Sequence, residues 1–177
     1  FFRGGTFPDG GSDNLPLPAG SVINAPRLSN VRRSTIHVND NATLITAPLS
    51  QIDDARIWVS GGVNFDRVVD TDYITTDLWG STELFRATGD GTVLNLSSLE
   101  TLIFGQSTGR RTYTVRAEID GLVDLSGLTS IGVSPGQDDI LDFRINSGGE
   151  IDLSGLRSIN QTAGNTAERV RFFVGTG

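Results

Sequence analysis

Cysteine, methionine and lysine are all absent from the 177 residues, and histidine occurs once, at His37. Without cysteine there is no disulfide framework, no thiolate metal site and no cysteine nucleophile. Without lysine there is no Schiff-base chemistry and no lysine general base. All fourteen basic residues are therefore arginine, and any reaction would have to run on carboxylates, Arg, Ser or Tyr. The lack of both oxidisable sulfur residues fits an exposed, extracellular life. Positive charge is also short: the net charge is −7. Such a surface repels phosphate backbones and argues against a nucleic-acid partner. No apolar run approaches the ~18 residues needed to span a bilayer, and no basic n-region followed by an apolar h-region marks a signal peptide. The chain opens FFRGG rather than on Met, as a processed product or an excised piece would.

What is abundant is glycine, 22 residues, together with Ser, Thr, Asn and Asp. No sustained 3.6-residue period accompanies them, so short strands and many turns are predicted. Residues 1–20 form a Gly/Pro-rich stretch, read as an extended arm or linker. Its Phe1, Phe2 and Phe7 suggest that it lies on something apolar.

Residues 21–177 are organised by a repeat. Val123–Ile131, VDLSGLTSI, recurs as IDLSGLRSI at Ile151–Ile159 and as LNLSSLETL at Leu94–Leu102, with steps of 29 and 28 residues. Weaker copies start at Val22, Leu44 and Val63, the first two related by A-P-(x)-L-S-x-[VI] with Arg27 as an insertion. Each unit alternates like a half-buried strand and then places apolar residues at intervals of three, as a bend that keeps pointing inward. A second alternating strand precedes most units: Ile57 and Val59; Tyr113, Val115, Ala117 and Ile119; Leu141, Phe143 and Ile145; Val170, Phe172 and Val174. Gly-rich turns at Ser60–Gly62 and Ser147–Gly149 separate the two. One such coil cannot bury its apolar face alone, so successive coils must stack. The prediction is an all-β, single-stranded parallel β-helix of about six to seven coils, with Asp70–Trp79 looping out of the longest step.

The LSGLTSI units, glycine corners and alternating strands resemble those of right-handed parallel β-helix proteins, and more narrowly the repetitive passenger regions of bacterial adhesin-like surface proteins. A leucine-rich or receptor L-domain solenoid shares the L-x-x-L-x-x-I rhythm and stays open as the alternative. The Asn of the leucine-rich pattern is not at its place here.

Stacking would align several polar columns. Asn64, Asn95, Asp124 and Asp152 form one, where adjacent carboxylates would either bind a cation or simply be solvated. Arg86, Arg116 and Arg144 form another, either a ladder for an acidic glycan or one paired with Glu83, Glu118 and Asp142. Asp53–Asp54 and Asp138–Asp139 are adjacent carboxylate pairs such as some β-helix glycosidases use. The Asn-Thr-Asp and Gly-His-Gly elements of pectin hydrolases are missing, however, and His37 reads as a strand surface residue. Tyr73 and Trp79 beside Asp70, Asp72 and Asp77 are the candidate glycan contact, with Tyr73, Trp79 and Asp72 at its centre. Asn41, Asn95 and Asn160 match the glycosylation sequon, a cheap match in a Ser/Thr-rich chain.

No catalytic residue, metal or cofactor is assigned. The ends carry the functional expectation. VRFFVGTG is an apolar strand that stops uncapped, and open solenoid edges template further pairing. Phe1, Phe2, Phe7, Phe172, Phe173 and Val174 are the candidate assembly interface. The predicted role is a non-enzymatic structural or adhesive β-solenoid, secreted or on a bacterial surface, open to head-to-tail self-assembly into fibres through its uncapped terminal coils and the N-terminal arm. Its partners would be copies of itself or neighbouring domains of a longer chain. The alternative is a polysaccharide-binding or polysaccharide-cleaving β-helix, either a lyase or a glycosidase.

Overall fold

The computed structural model describes residues 20–40, 42–76, 78, 80–105, 111–133, 139–160 and 169–175. The expectations for Phe1, Phe2, Phe7, Asn41, Asp77, Trp79 and Asp138 lie outside these residues. Sixteen strands and no helix are found within them: β1 (Val22–Ala25), β2 (Thr35–Val38), β3 (Thr43–Thr46), β4 (Arg56–Ser60), β5 (Asn64–Phe65), β6 (Asp72–Ile74), β7 (Thr82–Thr88), β8 (Val93–Asn95), β9 (Thr101–Phe104), β10 (Thr112–Glu118), β11 (Leu122–Asp124), β12 (Ser130–Val133), β13 (Ile140–Asn146), β14 (Glu150–Asp152), β15 (Ser158–Asn160) and β16 (Arg169–Val174).

Every strand pairing is parallel, and the strands form the walls of a β-solenoid. The long wall is ordered β16-β13-β10-β7-β4-β2, the second β14-β11-β8-β5 and the third β15-β12-β9-β6. There are about four complete three-walled turns, beginning at β4, β7, β10 and β13, rather than six to seven coils. The count falls because β1, β2 and β3 do not close full turns and β16 only begins a fifth. Only the long wall runs through all six levels, spanning roughly 24 Å at the usual strand spacing.

The repeat unit is one corner with a strand on either side. In VDLSGLTSI, Val123 and Asp124 end β11, LSGL makes the corner, and Ile131 lies in β12. Leu125 and Leu128 close that corner with a 2.9 Å bond from Leu128 N to Leu125 O. Leu96–Leu99 and Leu153–Leu156 repeat it at 3.0 and 2.9 Å. The four apolar positions of the two inner copies, Leu94, Leu96, Leu99 and Leu102 and then Val123, Leu125, Leu128 and Ile131, are all fully buried.

The corner also explains LSG. A Cβ on Gly127 would lie 2.0 Å from Ser97 O of the neighbouring turn, and one on Gly155 would lie 2.2 Å from Ser126 O. No side chain fits between backbones that close. In the first copy the same place is held by Ser98, whose hydroxyl donates to Val68 O at 3.0 Å. There the turn below has different spacing and leaves room.

Three local expectations shift. Within the stretch expected to loop out, Asp72–Ile74 is instead β6 of the third wall, with Tyr73 paired to Leu102. Val22–Ala25 and Thr43–Thr46 pair at a uniform 21 residues, Ile23 on Leu44, and Asn30 still bridges Gln51 at the same interval. Arg27 is therefore no insertion in space. Ile119 is not an inward strand residue, because β10 ends at Glu118. Ile119 (φ 52°) and Asp120 (φ 58°) turn the chain left-handedly, leaving Ile119 53% exposed.

One wall is broken. β1 and β3 form their own two-stranded sheet, separate from β5. A hollow of about 270 Å³, lined by Val38, Leu44, Val63 and Phe65 among others, opens between them.

Candidate functional site

The DLSG column is built as a set of turns. Asp124 pairs with Asp152 and Asn95 with Asp124. Each side chain bends back onto the residue two ahead: Asn95 Oδ1 accepts from Ser97 N at 3.0 Å, Asp124 Oδ1 from Ser126 N at 2.9 Å and Asp152 Oδ1 from Ser154 N at 2.8 Å. The bonds from Ser154, backbone first, hold the Asp152 carboxyl below its usual range. These carboxylates satisfy local backbone donors at a corner. Asn64 falls outside the column, since it pairs with Val93 and Phe65 with Leu94. The slip of two residues preserves the inward and outward faces, which have a period of two.

The arginine column is real: Arg86, Arg116 and Arg144 pair in successive strands. It continues one way through Trp58 to His37 and the other way to Phe173. Its charge is compensated in place. Arg86 lies 3.0 Å from Glu118, Arg116 lies 2.9 Å from Glu83, and Arg144 lies 2.8 Å from Asp142. The Arg116–Glu83 contact is an ion pair in which Nε–H is not well directed at the carboxylate. Burial pushes the Glu83 carboxyl up, against the pull of Arg116 and Arg86. Burial also opposes ionisation of Asp142, but hydrogen bonds from Arg171 at 2.7 and 2.9 Å and from Arg144 outweigh it and hold that carboxyl low. Arg144 and Arg171 also lie over the Phe173 ring, at 4.9 and 5.1 Å from its centre.

Asp53 and Asp54 face different ways. Asp53 meets Arg32 at 2.6 Å and accepts from Ile74 N at 2.9 Å. Asp54 is buried, accepting from Thr76 N at 2.7 Å and from the Thr76 hydroxyl. Asp139 is also buried and accepts from Arg111 N at 2.7 Å. Among the described residues no group of three or more His, Asp or Glu could hold a metal ion.

Tyr73 must be removed from the glycan-contact set. It is fully buried, 4.9 Å from the Phe85 ring centre, and its hydroxyl donates to Ala55 O at 2.8 Å. Burial, followed by the neighbouring Asp54 and Asp53 charges, pushes the phenol up and keeps it a neutral donor. Asp72 is exposed beside it, on the outer face of β6.

A half-buried aromatic on the outer face of the long wall was missed from the sequence. Trp58 stands between the inward Ile57 and Val59 of β4, so strand parity alone places it outside. Its Nε1 donates to Glu83 O at 3.1 Å, and His37 meets it edge-on at 5.9 Å. With Asn39, Ser60, Arg86 and Thr88 these residues bound a hollow of about 540 Å³ on the long wall.

At the C-terminal edge, Phe172 is 53%, Phe173 42% and Val174 79% exposed. Phe172 stacks on Phe143 at 5.2 Å, with its other face uncovered. At the opposite end Val22 and Ile23 are exposed. There a groove of about 200 Å³ runs between Ile23, Ile36, Val38, Ala42 and Leu44.

The fold and these surfaces define the chain as a parallel β-solenoid repeat protein. No protein family, curated protein or solved structure was found to match it. No helix among the described residues is long and apolar enough to cross a membrane.

Proposed function

We propose that the chain is a structural, adhesive β-solenoid of the cell exterior that assembles head to tail through its terminal coils. The observation that carries this reading is the pair of unlike apolar ends. One is a projecting strand, β16, with Phe172, Phe173 and Val174 exposed; the other is a groove beside β2. The long wall has β16 at one edge and β2 at the other, and all its strands run parallel. A second copy's β2 set beside β16 would continue the sheet in the same direction. Its Ile36 would extend the inward column that already runs Ile36, Ile57, Phe85, Val115, Phe143 and Phe172. Because the two surfaces differ, the contact is heterologous and does not close, which gives a filament. Strand edges provide the backbone hydrogen bonds for such an addition.

In this reading the chain performs no reaction. The carboxylates and guanidinia of the outer wall neutralise one another, and those of the corners hold backbone amides. A lack of cysteine and methionine suits a secreted or surface-attached rod. Sedimentation velocity over a hundredfold concentration range, with negative-stain microscopy, tests the assembly. Wild type is expected to form concentration-dependent linear oligomers. Val174→Asp, at an already exposed position, is expected to abolish them with thermal stability unchanged. A wild type that stays monomeric throughout overturns the proposal.

A further inference from the structure

We propose that the hollow around Trp58 is a binding site for a neutral pyranose unit of a glycan. The inference stands independently of filament assembly.

The site is the product of three neighbouring strands and their outward residues. His37, Trp58 and Arg86 are register partners in β2, β4 and β7. Ser60 and Thr88 are partners two residues further on, and Asn39 follows His37 at the same interval. The result is a row containing two rings and a guanidinium beside a row of three uncharged hydrogen-bonding side chains. Three strands span roughly 10 Å, about the breadth of one sugar ring with its hydroxyls. The hollow's volume of about 540 Å³ is ample for that unit.

Trp58, Arg86 and Thr88 are held in place before any ligand arrives. The indole is held through Nε1 to Glu83 O and by its T-shaped contact with His37. Arg86 Nε donates to Thr88 Oγ1 at 2.9 Å, which occupies one lone pair and leaves the hydroxyl proton free to donate outward. Little side-chain entropy remains to be lost on binding.

Charge selects the class of sugar. The Arg86 guanidinium lies 3.0 Å from Glu118 and 3.8 Å from Glu83. Arg116 lies against the same two carboxylates. Two cations and two anions cancel beside the hollow, and the chain as a whole is acidic. A uronate would have to displace an existing ion pair, whereas a neutral pyranose needs only an apolar ring face and hydroxyl partners. The half-buried Trp58, which lines the hollow, is the candidate for the first, and Asn39, Ser60 and Thr88 for the second.

The test uses Trp79→Phe protein, in which Trp58 is the single indole. Its emission is titrated with cellotetraose, mannotetraose and maltotetraose, and with trigalacturonate as the acidic probe. At least one neutral tetraose is expected to shift the emission saturably. Calorimetry on the otherwise native chain is expected to give the same affinity, with His37→Ala and Trp58→Ala each losing about tenfold or more. His37 is exposed, so its variant tests the site without threatening the fold, and far-UV dichroism checks Trp58→Ala. Binding should survive in Val174→Asp, which separates this site from the assembly surface. Response to trigalacturonate alone, response to none of the sugars, or unchanged affinity in both variants overturns the proposal.

Discussion

Replacing Gly127 with alanine adds one methyl group in a place where the neighbouring turn leaves no room. The new Cβ would sit 2.0 Å from Ser97 O, 3.0 Å from Ser97 C and 3.3 Å from Leu99 O. All three are backbone atoms of a corner already tied by its own hydrogen bonds, so no side chain can swing aside. A comfortable carbon–oxygen contact is more than 1 Å longer, and the relief must come from prising two turns apart. Overpacking of this kind costs about 1–3 kcal/mol, or more where the backbone itself must move. Taking about 3 kcal/mol, a chain of this length should lose roughly 6–12 °C in melting temperature. The usual gain from Gly→Ala, which comes from a less flexible unfolded chain, is only about 0.4–1 kcal/mol and has the opposite sign. Ser98 provides the control, because it occupies the same corner position one turn earlier. Ser98→Gly removes a hydrogen bond to Val68 O without adding an atom, and about 1 kcal/mol is expected to be lost. Thermal unfolding followed by far-UV dichroism compares the two. A Gly127→Ala protein that melts within about 1 °C of wild type refutes the close-approach account of the LSG corner.

Tyr73→Phe keeps the ring against Phe85 but deprives Ala55 O of the buried hydroxyl donor. A loss of about 1–2 kcal/mol is expected in chemical denaturation, and no loss would mean that water or another donor replaces it. Acid should act on the long wall through Asp142. Its folded carboxyl titrates below the unfolded value near 3.9, so its contribution is present above that value and is lost as pH falls through the folded one. Glu83 is raised by burial and works in the opposite sense, favouring the fold as it takes up its proton. Asp142→Asn should therefore flatten the fall in melting temperature between pH 5 and about pH 2. An undiminished fall in that variant would place the acid sensitivity elsewhere.

The solenoid was legible in the sequence because its core positions recur. Leu94, Val123 and Ile151 are register neighbours at the steps the repeat gives. Legibility failed where the steps changed. Nothing in VNFDRV marks that Phe65, rather than Val63, lies beside Leu94, because a two-residue slip leaves the apolar alternation intact. Tyr73 looked like a loop aromatic because DTDYITTDLW is rich in polar residues. Its place in the third wall depends on pairing with Leu102, almost thirty residues away. Trp58 is the opposite case: the signal was present in the parity of Arg56–Ser60 and only needed to be followed.

The interruption between β3 and β5 determines how the rod carries load. When a stack of coils is pulled along its axis, tension passes between coils through their inter-strand hydrogen bonds, shared among the walls. Across the inner turns all three walls share it. At the gap the second wall carries nothing. The force is routed through the four paired residues of β2 and β4, the short connections around Leu49 and Val68, and the bonds that join Ile52, Asp53 and Asp54 to Asp70, Ile74 and Thr76. The molecule thus contains a preset parting plane, with a detachable N-terminal section on one side and a cooperative four-turn body on the other.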